Sequence, residues 1–179
     1  MGKDYDELSE EHIDWISAQP MFFVATAPDD PSGHVNLSPK GYDTFRVVTP
    51  NRVAYLDLTG SGIETIAHVR QNPRITVMFC AFEGRPRILR LYGHAAILRS
   101  SDHEFGELAA RFDKFSGTRS IVDISVSLVR SSCGFSIPEM ELRQQRHTLI
   151  EWADRKGEDG IERYWSDRNA VSIDGLPGL

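Results

Sequence analysis

Residues 74–98 read RITVMFCAFEGRPRILRLYGHAAIL and contain two long runs that are rich in β-branched and aromatic side chains. Such runs are typical of buried β-strands. The pair Glu83-Gly84 interrupts the apolar pattern for only a few residues, which is the length of a hairpin turn. We therefore predict two long neighbouring strands, from Arg74 to Phe82 and from Pro86 to Leu98, at the centre of the fold.

Shorter strands are predicted before this pair. Residues 21–27 and 34–38 flank a turn that is rich in Pro, Asp and Gly, so they are expected to form a hairpin. Pro39 is expected to end the second of these strands, because proline cannot donate a backbone hydrogen bond. Two further strands are predicted at residues 44–48 and 52–58.

The clearest alternation of apolar and polar side chains lies at residues 122–128, which read VDISVSL. A period of two indicates a strand with one buried and one solvated face. The prediction therefore comprises about seven strands, and hairpin-length turns dominate over helical crossovers. This pattern favours a mainly antiparallel β-barrel with flanking helices. We expect the barrel to be closed, because closure leaves no strand edge free.

Helices are expected at residues 9–18, 63–71 and 105–112, and again after Pro138. The first has Ser9 in the position of a capping residue. The second and third each follow a serine and a glutamate at the spacing of a capping box, namely Ser61 with Glu64 and Ser101 with Glu104. After Pro138, apolar contacts are expected from Leu142, Leu149, Ile150 and Ala153.

The composition limits the domain count and the class of protein. A chain of 179 residues suits one domain, and we expect a barrel domain at residues 1–135 with a C-terminal helical extension and tail, residues 136–179, packed on it. The formal net charge of −6 argues against a nucleic-acid surface. The sequence has only two cysteines, so we expect both thiols to be reduced. It shows no secretory signal and no apolar run of membrane length, which predicts a cytoplasmic protein.

The segment Asp57-Leu58-Thr59-Gly60-Ser61-Gly62-Ile63-Glu64-Thr65 runs from a predicted strand into a predicted helix. Free backbone N–H groups and the helix dipole attract anions such as phosphate to such a place. A capped helix after a tight turn explains the same pattern without any ligand. Lys40, near the end of a strand, is a second candidate for a phosphate or an electron-rich ring, although its position alone favours a solvated surface lysine.

Other catalytic and metal-binding arrangements are not predicted. The six histidines lie on different predicted elements without metal-ligand spacing, so no metal site is expected. Cys133 has no evident base beside it, which favours a structural thiol over a nucleophile.

These segments resemble the pyridoxamine 5'-phosphate oxidase-related family, whose members share the FMN-binding split barrel. The resemblance covers nearly the whole chain and is best from Val35 to Ile97. The matching motifs are Asn36-Leu37-Ser38-Pro39-Lys40-Gly41, Tyr55-Leu56-Asp57, Gly60-Ser61-Gly62-Ile63-Glu64-Thr65, Asn72-Pro73-Arg74-Ile75 and Leu91-Tyr92-Gly93-His94-Ala95. Residues 133–138 and 172–178 resemble an oxidase branch within this family.

The resemblance implies a homodimer that holds FMN between its two subunits. The strand at Asn36, Leu37 and Ser38 is expected to run along the isoalloxazine ring, and Lys40 matches a family lysine that contacts the flavin. The residues expected at the phosphate end are Asp57, Thr59, Gly60, Ser61 and Thr65.

Two departures separate the chain from the vitamin B6 oxidases of this family. Those enzymes carry an Arg-Lys pair early in the phosphate-binding helix, where this chain has Glu64-Thr65. Phosphate affinity is therefore expected to be lower, or an arginine such as Arg74 or Arg87 replaces the pair. The B6 enzymes also end in a basic, histidine-containing substrate motif, whereas residues 174–179 read DGLPGL. We predict that the chain is not a B6 biosynthetic oxidase.

The leading hypothesis is an FMN-dependent oxidoreductase that acts on an unidentified small molecule, with no catalytic residue assigned. Two alternatives stay open. One is a non-catalytic module that stores or senses flavin, and the other is a related barrel that binds haem or a deazaflavin.

Overall fold

The structure, a computed structural model that describes residues 2–179, consists of one β-sheet and four helices. In chain order the elements are β1 Lys3–Tyr5, α1 Glu10–Ser17, β2 Phe22–Thr26, β3 Asn36–Lys40, β4 Phe45–Thr49, β5 Arg52–Leu58, α2 Glu64–Gln71, β6 Arg74–Cys80, β7 Ile88–Leu98, α3 Phe105–Ala109, β8 Thr118–Ser132 and α4 Thr148–Arg168. No helix in this range is long and apolar enough to cross a membrane.

The strands follow the order β3-β2-β6-β7-β8-β5-β4, with β1 added to β8, and every pairing is antiparallel. This confirms the mainly antiparallel prediction and places the β6–β7 hairpin near the centre. The prediction of full closure was wrong, because no ladder joins the outer strands β3 and β4 within residues 2–179. The polar side chains of β3 instead contact α2 and β5. The fold is a split barrel with an open seam beside β3.

The main core packs against one face of the sheet. Phe22, Phe45 and Phe79 form an aromatic cluster there, with ring centroids 5.0 to 5.6 Å apart. Tyr55 joins this cluster from β5 and is wholly buried. A second, smaller core that includes Leu56 and Ile121 packs beneath α3. The alternation read from the sequence therefore corresponds to one buried face on each central strand.

Two strands depart from their predicted bounds. β3 continues through Pro39 to Lys40, with Pro39 opposite Phe23, so the predicted break at Pro39 was wrong. An edge strand needs hydrogen bonds on one side only, and a proline is tolerated there. β8 is much longer than predicted and pairs with β1, β5 and β7, which makes it the strand that joins both halves of the sheet.

The helix starts show how local signals compete with tertiary contacts. The Ser9 cap is confirmed, because its hydroxyl accepts from the N–H of His12 at 3.3 Å. Neither predicted capping box forms, since α2 and α3 begin without a side-chain cap. The Glu64 carboxylate instead accepts from the N–H of Ile173 at 3.3 Å, and Asp102 accepts from the N–H of Arg99 at 2.7 Å.

The segment after the barrel does not form a helix at once. Residues 139–147 lie across the barrel, where the N–H of Met140 donates to Phe82 O at 2.9 Å and Tyr42 Oη donates to Arg146 O at 2.6 Å. These bonds to the barrel replace helical ones, so the expected helical contact of Leu142 was wrong and its side chain is 51% exposed. α4 follows and is kinked at Gly157, which has a φ of 65°.

Candidate functional site

The alternate side chains of β3 point toward α2 and β5 at the open seam. Asn36 Nδ2 donates to Thr26 Oγ1 at 3.1 Å and to Thr65 Oγ1 at 3.0 Å. At the other end of the strand, Lys40 Nζ lies 3.7 Å from Asp57 Oδ1 and 6.0 Å from the centroid of the Tyr55 ring. One β-strand thus brings together residues from the two segments that the sequence singled out.

The seam also contains buried polar atoms that lack partners. We refer to Thr26, Asn36, Ser38, Tyr55, Thr65 and His68 as the seam cluster. Ser38 Oγ, Tyr55 Oη and His68 Nε2 are buried and have no hydrogen-bond partner among the described residues. The other ring nitrogen of His68 lies 3.1 Å from Thr26 Oγ1. Buried polar atoms are normally paired, so these three mark places where a bound molecule or water would complete the hydrogen bonding.

Burial keeps the seam cluster uncharged. It raises the pKa of Tyr55 well above its ordinary value, and the nearby charge of Asp57 adds to that effect. Burial also lowers the pKa of His68. Tyr55 therefore stays protonated and His68 stays neutral at physiological pH, so both present neutral hydrogen-bonding groups rather than charges.

An open hollow of about 430 Å³ lies on the outer face of the sheet, on the side away from the core, and shares only Thr26 with the seam cluster. Its walls include Thr26, which also belongs to the cluster, together with Val35, Arg74, Thr76 and His94. A volume of this size falls within the range of small-molecule and cofactor sites.

Asp57 lies in a buried ion pair that the sequence did not reveal. Arg119 Nε donates to Asp57 Oδ2 at 2.8 Å, and the side chains are 5% and 1% exposed. Arg119 Nη1 donates further to Gly62 O at 3.0 Å. Arg119 sits beside Asp57 because β8 pairs with β5, with Ser120 opposite Asp57. Only the strand register could have indicated this arginine, and no local motif carries it.

The loop between β5 and α2 is occupied by structural hydrogen bonds. Thr59 Oγ1 donates to Gly117 O at 2.6 Å and accepts from Trp165 Nε1 at 2.8 Å. The carbonyls of Gly60 and Ser61 accept from Asn169 Nδ2 at 3.1 and 3.3 Å. The hydroxyl of Thr59 is therefore committed to the fold, whereas the Ser61 side chain is exposed.

The start of α2, where the phosphate of FMN is expected, does not fit a phosphate. Its first residue is Glu64, and a Cβ atom at Gly62 would collide with the Glu64 carboxylate. That carboxylate also accepts from Ile173 of the tail. An anionic side chain at this place repels a second anion. The polar groups of the seam fit the ring end of a flavin, but those at the start of α2 do not fit its phosphate.

Neither Arg74 nor Arg87, the two arginines suggested as replacements for the missing Arg-Lys pair, lies at the start of α2. Arg74 Nε donates to Asn72 Oδ1 at 3.0 Å, and Asn72 is the residue that ends α2. Arg87 pairs with Glu11 at 2.9 Å and lies over the ring of Trp15. Both cations are held at other places in the fold.

Comparison with known proteins identifies the family. Residues 8–133 match the family model described as pyridoxamine 5'-phosphate oxidase. The pyridoxamine 5'-phosphate oxidase family protein ustO of Aspergillus flavus is 37% identical over 194 residues, which cover 98% of this chain and 77% of ustO. The chain belongs to the pyridoxamine 5'-phosphate oxidase family. This confirms the resemblance that the motifs carried.

Solved structures share the fold of this family member at low sequence identity. A variant of HupZ from Group A Streptococcus superposes with a TM-score of 0.54 at 22% identity, over 69% of this chain and 98% of HupZ. A proposed pyridoxamine 5'-phosphate oxidase from Lactobacillus delbrueckii gives 0.53 at 16% identity, over 70% and 94%. The FAD binding protein from Mycobacterium smegmatis gives 0.50 at 15% identity, over 72% and 97%. At these identities the likeness establishes the split-barrel fold alone.

The remaining candidates from the sequence are placed apart from the seam. Leu37 points away from the barrel and is 64% exposed. Cys80 is buried and Cys133 is exposed, and both are free thiols. Among residues 2–179 no group of three or more His, Cys, Asp or Glu side chains is arranged to hold a metal ion.

Proposed function

We propose that this family member is a flavin-binding oxidoreductase, with FMN the expected cofactor, that acts on a small molecule outside vitamin B6 biosynthesis. Membership in the pyridoxamine 5'-phosphate oxidase family supports the cofactor class. The Mycobacterium smegmatis protein that shares the fold is described as FAD binding. When bound, the isoalloxazine ring would carry the electrons, and the protein would orient it and exclude water.

One observation carries the proposal. Ser38 Oγ, Tyr55 Oη and His68 Nε2 are buried at the seam and have no hydrogen-bond partner among residues 2–179. Because these groups are neutral donors and acceptors, they suit the nitrogen and carbonyl edge of a flavin ring. Lys40 adds a positive charge at the end of the same strand, where it would stabilise electron density on the ring.

The C-terminal residues support a role outside vitamin B6 biosynthesis. Asp174 accepts from His34 Nδ1 at 2.6 Å and from the N–H of His34 at 2.8 Å. An arginine that reaches the tail, Arg70, donates to Gly178 O. The tail is therefore bound to the loop before β3 and to α2 by acidic and backbone groups, and it presents no basic substrate motif.

We also propose that the protein forms a homodimer through the open side of the sheet. The outward side chains of β3 and its approach, Val35 and Leu37, are 73% and 64% exposed. Val171 and Ile173 of the tail are 59% and 71% exposed, and the His34–Asp174 contact links the two segments. Exposed apolar groups along an unpaired strand edge are typical of protein interfaces.

The visible spectrum and the mass of the extracted cofactor, taken on the protein as purified, test the proposed function. Flavin absorption followed by rapid anaerobic bleaching with NADH or NADPH supports an oxidoreductase. A flavin that resists both donors and reduced quinones supports a storage or sensing module instead. A colourless protein that fails to bind added flavin contradicts the proposal, and a haem spectrum replaces it.

A further inference from the structure

We propose that the start of α2 does not hold the phosphate of the cofactor, because the Glu64 carboxylate already lies there and C-terminal residues bond to it and to the preceding loop, and that the protein binds riboflavin and FMN about equally well. The inference rests on the proposed function, since it concerns how a flavin is recognised. It differs from the expectation drawn from the family, in which the phosphate is gripped at this helix.

Glu64 lies at the point where a phosphate is expected. It is the first residue of α2, and its carboxylate reaches back over Gly62, at the point where an anion would approach the helix. A negative side chain in the first turn already interacts favourably with the helix dipole. The Glu64 carboxylate therefore already receives the attraction of the helix dipole that a phosphate would otherwise receive.

Residues 169–179, which we call the C-terminal clasp, contact the same place. The clasp crosses the start of α2 and is held there by three sets of contacts. Asn169 binds the carbonyls of Gly60 and Ser61, and the N–H of Ile173 donates to Glu64 Oε1. Gly178 packs so closely on Ile63 that a Cβ atom at this glycine would come within 3.0 Å of the Ile63 side chain. The clasp thus bonds to the carbonyls of the β5–α2 loop and to the Glu64 carboxylate, while Ser61 and Gly62 themselves stay exposed.

The charges near the start of α2 are also unfavourable for a phosphate. Asp174 of the clasp has a pKa below its usual range, because the His34 side chain and backbone N–H both donate to it, so it is a carboxylate at neutral pH. The two arginines that reach the region are engaged, Arg119 with Asp57 and Arg70 with Gly178 O. A phosphate at the start of α2 would therefore meet the Glu64 carboxylate, with Asp174 one residue beyond the Ile173 N–H that binds Glu64, while both of these arginines already have partners.

The consequence is a cofactor that is recognised by its ring and not by its phosphate. Each charge-assisted hydrogen bond to a phosphate contributes about 1.5–3 kcal/mol, which is more than tenfold in affinity. A site that grips the phosphate must consequently favour FMN over riboflavin by a large factor. The arrangement described here lacks that grip, so the ratio of the two dissociation constants is expected to lie within roughly threefold of one.

Titration of the apoprotein with riboflavin and with FMN, followed by flavin fluorescence at low salt, measures this ratio directly. Similar dissociation constants support the inference. An FMN affinity more than about tenfold above that of riboflavin overturns it while leaving the proposed function in place. Failure to bind either flavin overturns the proposed function, and the inference with it.

Two charge-removing variants test the cause of the ratio. Glu64→Gln and Asp174→Asn should each improve FMN relative to riboflavin by roughly threefold, as expected for removing one like charge near a phosphate in water. Glu158→Gln, an exposed acid on α4, is the matched control and should leave the ratio unchanged. Because riboflavin is measured on the same variant, a loss of folded protein does not alter the ratio. A ratio that stays at the wild-type value in both variants contradicts the inference.

Discussion

Arg119 on β8 and Asp57 on β5 form a buried ion pair, with Nε and Oδ2 2.8 Å apart and both side chains almost fully removed from water. The guanidinium also donates to Asn169 Oδ1 at 2.9 Å. This one side chain therefore joins the centre of the sheet to the C-terminal clasp. Lys40 lies 3.7 Å from the same aspartate, so two cations share one carboxylate.

Replacing Asp57 by Leu should destabilise the protein strongly, because the Arg119 charge would be left buried without its partner. Breaking a buried pair in this way costs about 3–5 kcal/mol in the free energy of unfolding. Urea denaturation followed by tryptophan fluorescence measures the change. The exposed pair of Arg130 and Asp4 offers a control, and Arg130→Gln should hardly move the midpoint. Equal effects of the two substitutions would mean that the buried pair is not a structural link.

Gly93 of β7 should not tolerate a side chain. The ladder with β8 shifts register between Tyr92 and Gly93, and a Cβ atom at Gly93 would overlap the Ser125 carbonyl oxygen. Gly93→Ala is expected to cost about 1–3 kcal/mol through overpacking, measured by thermal and urea denaturation. Gly106→Ala in α3 meets no neighbouring atom and should be neutral or slightly stabilising. A neutral Gly93→Ala variant would show that the two strands can separate at this point.

Lys40→Ala should weaken flavin binding by more than tenfold, because a charge-assisted contact with the cofactor contributes about 1.5–3 kcal/mol. Lys114→Ala, at an exposed lysine, is the control and should bind flavin normally. Ser61→Ala should also bind normally, because the start of α2 does not hold the phosphate. Fluorescence titration with FMN distinguishes these outcomes, and an unchanged affinity in Lys40→Ala would place the ring elsewhere.

The stability of the protein should fall as the pH drops below about 6.5, the ordinary pKa of histidine. Burial lowers the pKa values of His12 and His68, so the unfolded chain binds protons that the folded protein does not. Protonation therefore favours unfolding between the lowered folded values and 6.5, by at most about 1.4 kcal/mol per pH unit for each histidine. The lowered carboxyl pKa values of Asp4, Asp30 and Asp174 act only in a more acidic range.

Urea midpoints at pH 7.5 and 5.5 measure this dependence. His68→Gln should reduce the difference between the two midpoints, whereas His103→Gln, at an exposed position, should leave it intact. A wild-type protein with the same midpoint at both values of pH would contradict the assignment.

Leu37→Asp should shift the protein from dimer to monomer, because it places a charge on the exposed apolar edge of β3. Sedimentation velocity measures the change. Phe135→Asp is the control, since Phe135 is 82% exposed but lies after β8, away from that edge. A Leu37→Asp variant that stays dimeric, or a wild-type protein that is monomeric, would rule out this interface.

Local periodicity was enough to predict most of the sheet. The alternation at residues 122–128 and the paired runs at residues 74–98 became β8, β6 and β7, because each presents one continuous apolar face to the core. The roles of residues at strand edges and helix starts could not be predicted in this way, because they depend on tertiary contacts. Pro39 could be read as a break only until β3 was known to be an edge strand, and Glu64 could be read as a cap only until Ile173 was known to contact it.

The candidate site was predictable to a similar extent. The sequence singled out both Lys40 and Asp57, and their proximity follows from the fold. Arg119, Asn169 and the unpartnered atoms of the seam cluster could not be predicted, since each acquires its role from a strand register or a long-range contact. The family motif indicates where relatives bind their ligand. The charges around the start of α2 in this chain, however, come partly from Arg119 and Asp174, which are distant in the sequence.

The position of the clasp in the sequence determines when the β5–α2 loop can complete its hydrogen bonds during translation. The carbonyls of Gly60 and Ser61 find their partner in Asn169, which leaves the ribosome well after β8 has been completed. A nascent chain can therefore build its sheet while the β5–α2 loop still hydrogen-bonds to water. Products that stop before Asn169 should therefore form the sheet yet leave this loop unanchored.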